Sequence, residues 1–274
     1  MIDLHLHTTA SDGTCTPEGL VDRAARVGLT TISLTDHDTM AAVAPATIAA
    51  GVRGMSVVPG VEITSVHDGR DVHVLAYFIA DMAPGLCELF ADQRRARAER
   101  AEEIARRLAA AGAPIDIRTL LEGNGNAPKA LARPAIARAL VAAGHANSVA
   151  DAFERYLGET QAAYVPHTGA TPVDVIRLVR NAGGVASLAH PGQLKKDELI
   201  PVLAEAGLDA IEAYHSSHDD EAIARYLSIA ARYGLLVTGG SDYHGDGARR
   251  AEYFGVTTLP VEYFQSLLQM LACR

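Results

Sequence analysis

Seven short runs rich in Val, Ile and Leu punctuate the chain, most of them separated by segments with helical spacing or turn residues. They are IDLHLH from Ile2, TTISLTDH from Thr30, SVVPGVEI from Ser56, VHVLAYF from Val72, GVASLAH from Gly184, DAIEAYH from Asp209 and LLVTGGSDYH from Leu235. Strand-length apolar runs that alternate with helices build a parallel sheet covered by helices, so the pattern predicts an α/β fold. With 274 residues and 49% hydrophobic content the chain suits one large core, and a seven-stranded (β/α)7, TIM-like barrel is the expected architecture.

Helix punctuation follows several of the runs. TPEGLVDRAARVG reads as a Thr16 cap, Pro17 at the first helical position, Glu18 in the first turn and Gly28 as the stop. TPVDVIRLVRNAGG from Thr171 repeats that grammar, and DDEAIARYLSIAARYG from Asp219 does so with an Asp cap. Between the fourth and fifth runs, residues 84–165 read as helix: Leu86, Phe90, Ala101, Ile104, Ala105 and Leu108 recur near helical spacing, and Gly112 with Pro114 ends the segment. A second helical group runs from about Pro134 through SVADAFERYLG. The expected organisation is a barrel of residues 1–83 and 166–274 with a helical insertion over 84–165, a candidate lid. The RRARAER patch in that insertion reads as a solvated helix face with i, i+4 charge pairs.

The formal net charge of -9 argues against a general polyanion-binding surface or a long nucleic-acid groove, so a phosphate-bearing substrate has to be met by a local positive site. Cys15, Cys87 and Cys273 are odd in number and lack CxxC spacing, which argues against a disulfide framework or a zinc ribbon and points to a reducing compartment. No basic segment followed by an apolar stretch opens the chain, and no run approaches the roughly 18 apolar residues of a membrane span. A cytoplasmic protein without membrane contact is expected.

The polar residues are placed more tellingly. Side chains at i and i+2 of a strand share a face, so His5 and His7 aim at one point, as metal ligands or as a hydrogen-bonded core pair. Asp12 lies in the loop beyond. The second run ends in TDHD with Asp36, His37 and Asp38, Glu62 closes the third, and His73 sits in the fourth. The fifth ends with His190, the sixth carries Glu212, His215 and His218, and the seventh ends with Asp242 and His244. In a parallel barrel the strand C-termini share one face, where barrel active sites are built, and a core cannot satisfy so many imidazoles and carboxylates without cations. Mixed His, Asp and Glu ligands without cysteine favour Zn²⁺, Mn²⁺ or Fe²⁺, and their number implies two or three divalent ions. Ions sharing a carboxylate and bridged by hydroxide provide a nucleophile at neutral pH and a clamp for a phosphoryl group, so hydrolysis of a phosphate ester is the chemistry that fits.

HLHTTASDG, TDHD, GVE, VHVLAY, AHPG and GGSDYH, in this order, resemble the PHP (polymerase and histidinol phosphatase) superfamily of metal-dependent phosphoesterases, and the likeness runs from residue 1 into the last helix. Within it the chain is most similar to the stand-alone bacterial branch that acts on nucleoside 3′,5′-bisphosphates and the 5′ ends of short RNA. The resemblance implies a distorted seven-stranded barrel and a three-metal site. One ion would be held by His5, His7, Glu62 and Asp242, a second by Glu62, His73 and His190, and a third by Asp12, His37 and His244, with Glu62 bridging. It also implies that Asp36 orients His37 or a neighbouring ligand, that Arg133 in ALARPAIARALV contacts a substrate phosphate, and that His218 hydrogen-bonds the leaving phosphate or protonates its oxygen. Many members carry histidine where Ala135 stands here, which bears on the bisphosphate preference. His215 has no such counterpart and is expected behind the ligands or at the surface.

The expected activity is therefore hydrolysis of a nucleotide phosphomonoester: a nucleoside 3′,5′-bisphosphate, AMP or an RNA 5′ end. A histidinol-phosphate phosphatase would share the ligands. An amidohydrolase also begins with H-x-H but typically bridges its metals with a strand-borne lysine, and Lys129, Lys195 and Lys196 stand at no strand end. A metal-binding scaffold without turnover is the rival from outside the enzymes. His145, His67, His167 and Cys15 read as capping, surface or loop residues rather than ligands.

Overall fold

The computed structural model describes residues 1–79, 83–122, 133–248 and 250–274; Lys129 lies outside them. Seven strands form one sheet in the order β1 to β7: β1 Ile2–Leu6, β2 Thr31–Leu34, β3 Ser56–His67, β4 Arg70–Tyr77, β5 Val185–Leu188, β6 Ala210–His215 and β7 Leu236–Gly240. A parallel bridge between Leu6 and Tyr243 links the two ends, so the sheet is a nearly closed barrel of the expected α/β class. The expected helix starts are present. Thr16 caps the helix Pro17–Arg26, Thr171 and Asp174 form a capping box before Pro172–Asn181, and Asp219 caps Asp220–Tyr233.

One strand departs from the parallel plan. β1 to β3 and β5 to β7 pair in parallel, whereas β4 runs antiparallel to β5. The cause lies in the sequence between β3 and β4, where Asp68 and Gly69 both take positive φ, 51° and 73°. Two such residues make the tight turn whose twist suits a hairpin. The reversal has a functional consequence, because it brings the first half of β4 to the barrel end where the other strands finish. Val74 pairs with Leu188, and the Ala189 N–H donates to the His73 carbonyl at 3.0 Å, so His73 stands beside the segment that carries His190.

The chain divides into two compact units. One comprises residues 1–67, 71–87 and 170–274 and contains the strands; the other comprises 68–70 and 88–169. The second has a core of its own, built from Ala101, Ile104, Leu108, Ile136, Leu140 and Leu157 among others, and the 27-residue helix Pro84–Ala110 runs across the division. No helix among the described residues is long and apolar enough to cross a membrane.

Barrel closure depends on Gly240. A Cβ there would stand 2.4 Å from the His5 backbone nitrogen and 2.6 Å from Asp3 Oδ1, inside the contact distance of any real atom pair. Gly240→Ala is expected to destabilise the protein by about 3 kcal/mol, the upper end of overpacking costs because backbone rather than a flexible side chain must yield. Urea denaturation checks this, and an unchanged midpoint would show that β1 and β7 can separate at little cost.

Candidate metal centre

All of β1 is buried, and Asp3, His5 and His7 follow one another at the period-two spacing of a single face. Asp3 accepts hydrogen bonds from the Ser241 N–H at 3.0 Å and the Ser241 hydroxyl at 2.7 Å, which fixes the turn after β7. The Asp242 N–H donates to the His5 carbonyl at 2.9 Å, and the His7 N–H to the Tyr243 carbonyl at 3.0 Å. Asp242 is thereby locked opposite the two histidines.

Glu62, midway along β3, stands at the hub. Its Oε2 lies 3.3 Å from His5 Nε2, 3.2 Å from His7 Nε2 and 3.3 Å from His37 Nδ1. Its Oε1 lies 2.7 Å from His73 Nδ1 and 3.0 Å from His190 Nε2. Asp242 Oδ1 stands 3.4 Å from His5 Nε2 and 3.3 Å from His7 Nε2. Four donors arranged tetrahedrally about 2.0–2.1 Å from an ion are separated by roughly 3.3–3.4 Å, close to the spacing found about Glu62 Oε2 and Asp242 Oδ1. Despite those distances, His7 Nε2 and His37 Nδ1 are buried without a hydrogen bond. Buried polar atoms are normally paired, so nitrogens this close to a carboxylate yet without a hydrogen bond fit groups aimed at a shared centre. The donor set suits divalent cations.

Asp12 completes the cluster from the loop after β1. Its carboxylate lies 3.3 Å from His244 Nε2, 3.6 Å from His7 Nδ1 and 4.0 Å from His37 Nε2, and ligand atoms of these residues all fall within 4.8 Å of one another. His37 also groups with Glu62 and His73, so its two ring nitrogens face two different carboxylates. Asp36 serves the neighbouring loop rather than His37. It accepts from the Thr8 N–H at 2.8 Å, the Thr8 hydroxyl at 2.7 Å, the Ser11 N–H at 3.1 Å and the Ser11 hydroxyl at 2.6 Å, ordering the turn between His7 and Asp12. Asp38, His190 and Asp242 hold positive φ of 50°, 29° and 56°. Such conformations cost of order 1–3 kcal/mol each in non-glycine residues, and their clustering here is the pattern of a site that the surrounding fold holds in place.

The electrostatics follow from burial set against charge. Burial lowers the His7 pKa, but the adjacent Asp242 and Glu62 carboxylates outweigh it and push it up to about 10. For His37 burial prevails over Glu62 and Asp12 and brings it down to about 3. Burial would raise Glu62 and Asp242, yet the surrounding imidazoles, His37, His73 and His5 for the first and His5 foremost for the second, hold both well below the usual carboxylate range. Asp3, whose burial outweighs its Ser241 hydrogen bonds, is raised to about 7. Glu62 and Asp242 are thus ionised at neutral pH and demand cationic neighbours.

Of the two places expected for His215, behind the ligands or at the surface, the first is the one found: it is buried at 1% exposure, with Glu212 fully buried beside it. His218 donates from Nδ1 to the Ala213 carbonyl at 2.8 Å and accepts the Gly192 N–H on Nε2 at 3.1 Å, so both ring nitrogens are engaged and Nε2 is an acceptor. Arg133 belongs to the helical unit, where its guanidinium lies 6.0 Å from the Phe153 ring centre and 5.6 Å from that of Tyr164. His145 Nε2 donates to the Pro114 carbonyl at 2.9 Å in the same unit. Asp3 was not singled out by the sequence. Only its period-two relation to His5 and His7 hinted at it, and its partner Ser241 is 238 positions away.

Comparison with known proteins agrees with this geometry. The PHP domain family matches residues 3–111. The chain is 37% identical to the 5′-3′ exoribonuclease Rnm of Escherichia coli over 88% of this chain and 84% of that one. It is 36% identical to a phosphoribosyl 1,2-cyclic phosphate 1,2-diphosphodiesterase of Eggerthella lenta (90% and 95% covered) and 33% identical to a 3′,5′-nucleoside bisphosphate phosphatase of Chromobacterium violaceum (90% and 89%). Among solved structures, a Bifidobacterium adolescentis protein assigned as a metal-dependent phosphoesterase superposes with a TM-score of 0.86 at 35% identity, covering 98% of this chain and 95% of its own. A seven-stranded barrel with His, Asp and Glu clusters at the mouth, and relatives of this similarity along nearly its whole length, make the chain a member of the PHP domain family of phosphoesterases.

Proposed function

We propose that the protein hydrolyses a phosphomonoester of a nucleotide, such as a nucleoside 3′,5′-bisphosphate, AMP or an RNA 5′ end, with two or three divalent ions (Mn²⁺, Zn²⁺ or Fe²⁺) at the barrel mouth. The observation that carries this reading is the position of Glu62, whose two oxygens face separate groups of imidazoles, as a bridging carboxylate must. His5, His7, Glu62 and Asp242 would hold one ion, Glu62, His73 and His190 a second, and Asp12, His37 and His244 a third. Bound there, the ions supply Lewis acidity toward phosphoryl oxygens and acidify water toward neutral pH.

The chain's own groups have narrower tasks. Arg133 offers its planar fork to a substrate phosphate, its guanidinium carbon lying 6.0 Å from the Phe153 ring centre and 5.6 Å from that of Tyr164. His218 shapes the phosphate side of the mouth through Gly192. For it to hydrogen-bond or protonate a leaving oxygen, Nε2 would have to exchange the Gly192 N–H for a proton. Nucleotides are preferred over histidinol phosphate because two of the aligned relatives act on RNA 5′ ends or nucleoside bisphosphates. The cyclic-phosphate enzyme of similar identity makes a ribose cyclic phosphodiester the specific competitor.

The test is phosphate release by the Mn²⁺-loaded protein from adenosine 3′,5′-bisphosphate, AMP, a 5′-phosphorylated dinucleotide and histidinol phosphate, with ribose 1,2-cyclic phosphate assayed for ring opening and His37→Ala as control. Nucleotide turnover well above the others, absent in the control, is expected. A higher rate on histidinol phosphate or the cyclic diester would reassign the substrate, and no turnover by fully metal-loaded protein would remove the enzymatic reading.

A further inference from the structure

Of the seven strands, β6 supplies none of the nine residues assigned above as ligands, although each of the other strands, or the segment just after it, supplies at least one. We propose that Glu212 and His215 of β6 are positioning residues that orient His5, His190 and Asp242 toward the ions, an inference that rests on the metal-dependent reading of the site.

Glu212 makes contact with two ligands at once. Its Oε1 accepts from His5 Nδ1 at 2.9 Å and its Oε2 accepts the His190 backbone N–H at 2.7 Å. The first bond places the His5 proton on Nδ1 and leaves the Nε2 lone pair facing Glu62 and Asp242. A carboxylate behind a ligating imidazole fixes its tautomer and raises its basicity in this way. The second bond secures a residue whose backbone sits at φ 29°, a conformation that needs support from its surroundings.

His215 works by the same logic with the ring reversed. The Ser217 N–H donates to its Nδ1 at 3.0 Å, and the Ser217 hydroxyl lies 2.7 Å from the same nitrogen. A backbone N–H can only donate, so Nδ1 is the acceptor and the proton of the neutral ring sits on Nε2. That proton is directed at Asp242 Oδ2, 3.3 Å away, while Asp242 Oδ1 is the oxygen that faces His5 and His7. The two carboxylate oxygens therefore have distinct partners, and rotation of the carboxylate breaks both sets.

The strand is built to present both residues inward. Positions 212 and 215 are three apart and would face opposite sides of a regular strand, but the pairing with β7 shifts between Glu212 and Tyr214. That bulge turns His215 to the same side as Glu212, a known use of an extra residue next to an active site.

Cobalt(II) titration tests the proposal, with affinity read by competition against a chelator and geometry read from the visible absorption of the bound ion. Glu212→Gln keeps the side-chain shape but sets an NH₂ group against one of two N–H donors. It is expected to weaken Co²⁺ binding by roughly 10–100-fold and to alter the spectrum, the scale seen when a group behind a ligand is lost. His215→Phe is expected to do the same, whereas His215→Gln, which retains an N–H donor, restores part of the affinity. Wild-type affinity and spectrum in Glu212→Gln overturn the role given to Glu212. Unchanged binding in His215→Phe, or no recovery in His215→Gln, overturns that of His215. If Glu212→Gln does not fold, the His215 pair decides. A wild-type protein that binds no Co²⁺ overturns the metal-dependent reading itself, an outcome distinct from tight wild-type binding that the variants leave unchanged.

Discussion

Glu62→Gln is expected to lower kcat/KM on the preferred nucleotide by at least about a thousandfold, or ~4 kcal/mol of transition-state stabilisation at 1.36 kcal/mol per decade. The size follows from how many groups share this one carboxylate: His5, His7 and His37 stand about one oxygen, His73 and His190 about the other. An amide of the same shape offers one oxygen and one NH₂, and the NH₂ neither ligates a cation nor accepts from an imidazole. The loss also removes a negative charge that all five of these rings share. Metal analysis of the purified variant is expected to show fewer bound ions than the wild type. Glu62→Asp, which keeps the charge but withdraws it by one methylene, is expected to retain more metal than activity. A Glu62→Gln protein with full metal content and more than a tenth of the wild-type rate would show that Glu62 is not the bridge.

Much of this site is legible in the sequence because barrel geometry turns a one-dimensional pattern into a spatial one. Once IDLHLH, TDHD, GVE, AHPG and GGSDYH are read as strand ends, the common direction of the strands carries their polar residues to one mouth. What the pattern did not reveal depends on local reversals and on distant partners. The alternation of runs predicts one more parallel unit for β4, yet the Asp68-Gly69 pair between alternating runs is a strong hairpin signal, and the reversal explains how a histidine in the first half of a strand reaches the mouth. The inward turn of His215 depends on a bulge that leaves no mark in AIEAYH. Asp3 looks like an isolated acid in an apolar strand until Ser241 is placed beside it, and Glu212 acquires its meaning from His5, 207 positions away. The residues that gather at the mouth can be read from residue type and spacing; the groups that hold them depend on tertiary pairing.

Removing divalent ions with a chelator is expected to abolish turnover, and the loss should be accompanied by a fall in the melting temperature that added Mn²⁺ reverses. Asp12, Glu62, Glu212 and Asp242 are all held below the usual carboxylate range, and Glu62, Glu212 and Asp242 converge on a buried centre that the more exposed Asp12 borders. Like charges so placed repel, and in the absence of metal only protonated imidazoles such as His7 offset them. A ligand that binds the folded state alone stabilises it by about 2.7 kcal/mol at a hundred times its Kd. At ~2–4 °C per kcal/mol for a chain of this size, one such ion raises the melting temperature by roughly 5–10 °C. Undiminished turnover by protein shown free of metal would sink the mechanism. The paired readout also ties both effects to the same ions: activity and thermal stability fall together on chelation and return together when Mn²⁺ is added.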